Sequence, residues 1–204
     1  MIVLYPTGNA IQVSVGNKCG NTTAIDILSY PHHGFQGRRG RSRLMKQGVY
    51  FRNENLAPAS TNILANVAII RDPVKRLASC YADRVLRKNR NNSREFAPTW
   101  DYFVKNLEEV RDKSADVKSH SRPQVAWTGN DTSKFTHVIL TDNITKEFTP
   151  LVSKISGVNI PTTSHRKSSR GLSSKVELEI TQEHIEIIKD FYKDDYEVWG
   201  NYFQ

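Results

Sequence analysis

Apolar positions along this chain fall into short uninterrupted runs and into helically spaced stripes, and the switches between the two divide it into elements. Residues 10–15, AIQVSV, read as a short buried strand, and a helix is predicted from the turn after it to about Tyr30. GVYF, residues 48–51, is a candidate second strand, and NVAII brings a clear buried strand over residues 67–70. Asp72 and Pro73 then form a helix start, with Asp as N-cap and Pro at the first helical position. In the helix that follows, Val74, Leu77, Ala78, Tyr81 and Val85 share one face, whereas Arg76, Ser79 and Asp83 fall on the other.

Further on, a helix is expected over residues 100–111, a strand at THVIL and a helix over 144–156. HIEIIKDFYKDDYEVWGNYF closes the chain as an amphipathic helix. Three stretches carry no apolar period and read as exposed loops: PHHGFQGRRGRSRL, RKNRNNSREFAP and TSHRKSSRGLSSK. Strands alternating with helices predict an α/β fold, a P-loop-like parallel sheet flanked by helices on both faces. At 204 residues without an apparent internal repeat, the expectation is a single domain over 1–204.

The balance of charge narrows the partners. Against 21 Asp+Glu stand 29 Lys+Arg, a net +8, which favours an anionic partner: nucleotide, nucleic acid, acidic glycan or membrane surface. Tyr and Trp fall mostly at helical core spacing rather than interleaved with Lys and Arg, so a nucleic-acid interface is not expected. No apolar run approaches the roughly 20 residues of a membrane span, so no membrane insertion is expected either. The first 15 residues lack a positively charged leader, and only two cysteines occur, so a soluble cytoplasmic protein is expected.

Candidate chemistry begins at GNKCGNTT, residues 16–23, a Gly-x-x-x-Gly turn between strand and helix. Helix N-termini bind phosphate because their first N–H groups have no internal partner and the helix dipole adds partial positive charge. Lys18 adds a point charge, and Asn21, Thr22 and Thr23 add donors. The nucleoside-triphosphatase pattern is not met: lysine precedes the second glycine, and no hydroxyl follows lysine to hold magnesium. The loop thus predicts a phosphate ester handled without a metal.

GNKCGNTT together with RDPVKRLASCY, residues 71–81, resembles the sulfotransferases that use 3′-phosphoadenosine 5′-phosphosulfate (PAPS). SHSRPQ, residues 119–124, is similar to a His-x-x-Pro-Gln segment of the Golgi-type carbohydrate members, and HRKSSRGLSSK with the C-terminal helix is similar to their cofactor-covering loop and tail. The resemblance implies the sulfotransferase fold and transfer of a sulfuryl group to a hydroxyl acceptor, with a carbohydrate, in particular an anionic glycan, suited to the basic GRRGRSR segment. It implies that Asn17, Lys18, Cys19, Gly20, Asn21, Thr22 and Thr23 cradle the phosphosulfate, with Lys18 meeting the departing phosphate. It further implies that Arg71 and Ser79 hold the 3′-phosphate and that Arg166, Lys167, Ser168 and Ser169 meet the nucleotide.

Transfer to a hydroxyl also needs a group that takes its proton. His120 is the first candidate and His33 the second, with His32 and Glu54 beside them. The membrane anchor and the disulfides of Golgi members are not expected here, and Asn21 stands where Ser or Thr is usual. Two other readings stay open at this point: a nucleotide kinase-like P-loop protein, and a non-catalytic basic protein that binds nucleotide or nucleic acid.

Overall fold

In the computed structural model the described residues are 1–34, 40–51, 58, 60–87, 98–162, 176 and 180–203. The first two strands form a hairpin absent from the sequence expectation. β1 (Ile2–Leu4) runs antiparallel to β2 (Asn9–Val15), joined by a turn in which Tyr5 N–H donates to Asn9 O at 2.8 Å. α1 (Asn21–His33) follows β2, then α2 (Gly40–Lys46), β3 (Tyr50–Phe51) and β4 (Asn62–Ile70). After β4 come α3 (Pro73–Tyr81) with a π-helical turn at Ala82–Leu86, α4 (Trp100–Lys105), α5 (Leu107–Lys113), α6 (Ala115–His120) and α7 (Val125–Thr128). β5 (His137–Leu140), α8 (Thr149–Ser156), α9 (Gln182–Phe191) and α10 (Lys193–Trp199) complete the order.

The chain divides into two compact units, one of residues 1–70 with 131–165, the other of 71–130 with 166–204. The first holds a five-stranded sheet in the order β3-β1-β2-β4-β5. β2, β4 and β5 are parallel, whereas β1 is antiparallel to both β2 and β3. The fold is therefore the expected α/β sheet with one strand reversed. Val15 is in register with Ile69 and Ile70 with Leu140, so the three parallel strands end along one edge. β3 heads toward that edge as well, because two antiparallel pairings restore the direction of β2.

Period-two alternation in the strands decides what is buried. Ile11 and Val13 of β2, with Ala65, Val67 and Ile69 of β4, form one core with Ala24, Ile27 and Leu28 of α1, Leu44 of α2 and Val152 of α8. Each such aliphatic side chain contributes about 1.5–3 kcal/mol on leaving water. Ile2, Ala10, Ala68 and Ile70, of the opposite parity, are buried as well, so the sheet is covered on both faces. α2 replaces part of the expected loop. Leu44 anchors it, and a Cβ on Gly40 would lie 2.7 Å from Ser29 Oγ of α1, so only glycine allows the two helices this approach.

The second unit is helical. Leu77, Ala78 and Tyr81 of α3 pack with Trp100, Phe103 and Val104 of α4 and with Ile188 and Tyr192 from the C-terminal segment. The helix start at Asp72 is as the sequence predicts: its carboxylate Oδ1 accepts from Lys75 N–H at 2.9 Å, and Pro73 is the first helical residue. Two expected helices are broken. Asn106, at φ −120°, separates α4 from α5, and its side chain donates to Tyr102 O at 3.0 Å. Tyr192, at φ −106°, separates α9 from α10, and its hydroxyl donates to the buried Ser121 carbonyl at 2.6 Å.

Candidate functional site

The glycine-rich loop leaves β2 after Val15 at the edge where the parallel strands end. Cys19 N–H closes a turn on Gly16 O at 3.3 Å, and Gly20, in the left-handed region at φ 78°, is the N-cap of α1. Lys18 also has a positive φ, 67°, the single such non-glycine among the described residues. Left-handed backbone costs a residue with a Cβ roughly 1–2 kcal/mol, and strain of this kind collects at functional sites. Two left-handed residues two positions apart, leading into an uncapped helix start, are a backbone suited to an anion. No acidic residue stands in the first turn of α1, and Ala24 N–H is the first to bond back, onto Gly20 O at 2.8 Å. The N–H groups of Asn21, Thr22 and Thr23 therefore have no carbonyl four residues back within the helix.

Side chains in the loop divide by direction. Lys18 and Thr23 are half-buried and Thr22 is exposed. Cys19 is fully buried, with Sγ 3.7 Å from Asn17 O, so its side chain fills the loop's interior and is not presented to a ligand. Asn21 Oδ1 accepts from Arg41 Nη2 at 3.0 Å, so the residue that departs from Ser/Thr holds a guanidinium at the start of α1. A Cβ on Gly20 would meet Ile144 Cδ1 at 3.2 Å and Thr141 Cγ2 at 3.3 Å, which adds crowding to the φ requirement.

Arg71 and Ser79 belong to the second unit, where a buried polar network surrounds the start of α3. The Gln124 side-chain Oε1 accepts from Arg71 N–H and its Nε2 donates to Arg71 O, both at 2.8 Å. The fully buried Asp195 accepts from Gln124 N–H and Val125 N–H, both at 2.9 Å. Arg76, expected on the open face of α3, is instead fully buried. Its Nη2 donates to Arg122 O at 2.7 Å and lies 3.9 Å from Asp195 Oδ2, and its guanidinium is 5.0 Å from the centre of the Tyr192 ring. Asp72 Oδ2 accepts from Tyr196 O–H at 3.3 Å; burial and this carboxylate push the Tyr196 phenol well above its ordinary range. Ser79, three residues after Arg76 on the same side of α3, is half-buried.

Gln124, Asp195 and Arg76 were not singled out as site residues by sequence reasoning, but a signal existed. Ile188, Tyr192, Asp195 and Trp199 recur at i, i+4, i+7 and i+11, so an aspartate occupies a core position of an apolar stripe. A carboxylate there demands buried partners.

The histidines are placed differently from expectation. His33, a candidate base, does not lie at the strand-end edge where the loop begins. α1 starts at the loop and carries His33 at its far end, about 18 Å along the axis at 1.5 Å per residue. His32 stacks on Tyr5 with ring centres 5.5 Å apart, beside the edge where β2 begins. Burial and the neighbouring His33 lower the His32 pKa, while a hydrogen bond with the Leu4 backbone pulls the other way. His120 is the last residue of α6 rather than a loop residue. Its Nδ1 donates to Asp116 O at 2.8 Å, and its Nε2 lies 2.6 Å from Arg84 Nη2, which leaves that nitrogen as the acceptor. Asp83 in turn pairs with Arg84 and Arg87.

Glu54, Arg166, Lys167, Ser168 and Ser169 lie outside the described residues. Among the described residues no group of His, Cys, Asp and Glu is arranged to hold a metal ion, and no helix is long and apolar enough to cross a membrane.

A lysine-bearing glycine loop thus follows β2, and an Arg-Asp-Pro helix start follows β4. The sulfotransferase family model matches residues 17–202, and the chain belongs to that family. The match spans both the loop and the network around Arg71, and it makes the protein a transferase of sulfuryl groups. Comparison with curated proteins and with solved structures gave no match.

Proposed function

We propose that this chain transfers a sulfuryl group from PAPS to a hydroxyl of an anionic carbohydrate, without a metal. The observation that carries the reading is the loop: left-handed Lys18 and Gly20, an uncapped helix start and no hydroxyl after the lysine to ligate magnesium. The loop N–H groups with Thr22, Thr23 and Lys18 suit the phosphosulfate end, and Arg71 with Ser79 suits the 3′-phosphate through a bidentate, permanently charged fork. The donor supplies an activated S–O bond to a phosphate leaving group. Lys18 stabilises the charge that gathers on the phosphate oxygen as that bond breaks. Arg166, Lys167 and Ser168 are further nucleotide contacts in this reading.

The acceptor hydroxyl must give up its proton as the new S–O bond forms. His33 is too far along α1 to take it at the loop. His120 serves as base only when Arg84 releases Nε2, because that lone pair already accepts from a guanidinium. With the histidines so placed, Glu54, which follows β3 in the sequence, is the base in this reading. For the acceptor, Arg43 and Lys46 of α2 are exposed, and Arg41 is held at the start of α1 by Asn21, which together suit a carboxylated or sulfated glycan.

Calorimetric titration with 3′,5′-ADP, 5′-AMP and Mg-ATP tests the donor. Metal-free preference for 3′,5′-ADP is the expected result, and preference for Mg-ATP would return the chain to the kinase-like reading. Transfer of labelled sulfate from PAPS to acidic and neutral glycans tests the acceptor.

A further inference from the structure

Arg71 sits at a backbone position that neither neighbouring element serves. The β4–β5 pairing ends at Ile70 with Leu140, and α3 begins at Pro73. A residue between a strand end and a helix start has an N–H and a C=O that must find other partners, and its φ and ψ are set by whatever supplies them. Here one side chain supplies both: Gln124 accepts from Arg71 N–H and donates to Arg71 O, each at 2.8 Å. The two bonds form a ring that mimics a strand neighbour and fixes the peptide planes on either side of the Arg71 Cα.

Gln124 is itself held. It is 1% exposed, its own N–H donates to Asp195 Oδ2 at 2.9 Å, and the other carboxylate oxygen takes Val125 N–H at the start of α7. Asp195 has Arg76 nearby at 3.9 Å, and Arg76 donates to Arg122 O two residues before Gln124. The adjacent Asp72 is tied down by its cap bond and by Tyr196. Apart from the exposed cap bond of Asp72, the links in this chain are buried or half-buried, where an exchange with water does not substitute for a lost bond.

We propose that Gln124 is the positioning residue for Arg71, with Asp195 as its anchor, and that this pair sets the affinity and selectivity for a 3′-phosphate. The proposal rests on the reading that Arg71 binds that phosphate. It assigns a role to the Pro-Gln of SHSRPQ that involves no contact with the reacting atoms. A guanidinium fork gains its advantage over a point charge only when its plane is aimed, and the clamp aims it by holding the backbone from which it projects.

The test compares Kd for 3′,5′-ADP and 5′-AMP in the wild type, Gln124→Met, Gln124→Glu and Thr99→Ala. Gln124→Met keeps side-chain length and removes both bonds; Gln124→Glu keeps the acceptor for Arg71 N–H and removes the donor. Thr99→Ala removes the N-cap of α4, whose hydroxyl accepts from Tyr102 N–H at 3.3 Å in the same unit, and serves as the stability control. The expected result is a loss of at least tenfold in 3′,5′-ADP affinity for Gln124→Met, a smaller loss for Gln124→Glu and little change for 5′-AMP. Thr99→Ala should lower Tm without altering the ratio of the two constants. A ratio unchanged in both Gln124 variants, with Arg71→Ala abolishing it, overturns the inference and leaves the donor reading standing. If Gln124→Met does not fold, Gln124→Glu alone decides on the same ratio. A wild type indifferent to the 3′-phosphate overturns both.

Discussion

The side-chain amide of Gln124 closes on both backbone groups of Arg71, 53 residues away in sequence, with two bonds of 2.8 Å. The relationship ties SHSRPQ to RDPVKRLASCY, and Asp195 ties both to the C-terminal helices through the N–H groups of Gln124 and Val125. Three segments that resemble one family in sequence are thus one hydrogen-bonded body in the second unit.

Arg71→Ala should weaken 3′,5′-ADP by about 10- to 100-fold, the worth of a charge-assisted bond of about 1.5–3 kcal/mol, and leave 5′-AMP nearly unchanged. Arg71→Lys should recover only part of the loss, because a point charge does not reproduce the fork. Equal losses for both nucleotides would place the 3′-phosphate elsewhere.

Lys18 separates charge from backbone. Lys18→Ala should reduce turnover by about 100-fold or more, the scale of losing one group that stabilises transition-state charge. Lys18→Gly should lose turnover equally yet keep or raise Tm, since glycine adopts φ 67° without the Cβ penalty. Normal transfer by either variant would remove lysine from the chemistry.

Removing one partner of the buried Arg76–Asp195 pair should be costly. Asp195→Ala leaves the Gln124 and Val125 N–H groups without their acceptor and a buried guanidinium without its carboxylate. A loss of about 3–5 kcal/mol is expected in denaturant unfolding. Stability within 1 kcal/mol of wild type would show that water replaces the network.

Acid should weaken the fold through His32. Its folded pKa lies below the ordinary 6.5, so below pH 6.5 the unfolded chain takes up a proton that the folded chain refuses. Its contribution to stability is therefore complete above pH 6.5 and is lost as pH falls toward the folded value. His32→Gln should flatten Tm between pH 7 and pH 5. An unchanged slope would assign the acid sensitivity to other groups.

Among the candidates for the base, Glu54→Gln should lower kcat by about 100-fold or more. His33→Asn should leave kcat unchanged, because α1 carries that ring away from the loop. His120→Asn should alter stability more than turnover, since it breaks the contacts with Arg84 and Asp116. A collapse of kcat in His120→Asn at unchanged Tm would restore His120 as the base.

The sequence by itself determined what is local. The Asp72–Pro73 start of α3, the glycine loop before α1 and the buried runs of β2, β4 and β5 are visible because caps, turns and period-two burial act over a few residues. The tertiary structure decided the rest. β1 pairs backwards through a tight turn, α2 forms because Leu44 finds a core and Gly40 fits against Ser29, and Tyr192 breaks the last helix to reach Ser121. Arg76 is charged and on a helix, yet it is buried because Asp195 and the Arg122 carbonyl, more than 40 residues away, are there to receive it. His33 ends the helix that begins at the loop, and only the direction of that helix in space carries it to the opposite edge. Partners distant in sequence leave no trace in local pattern.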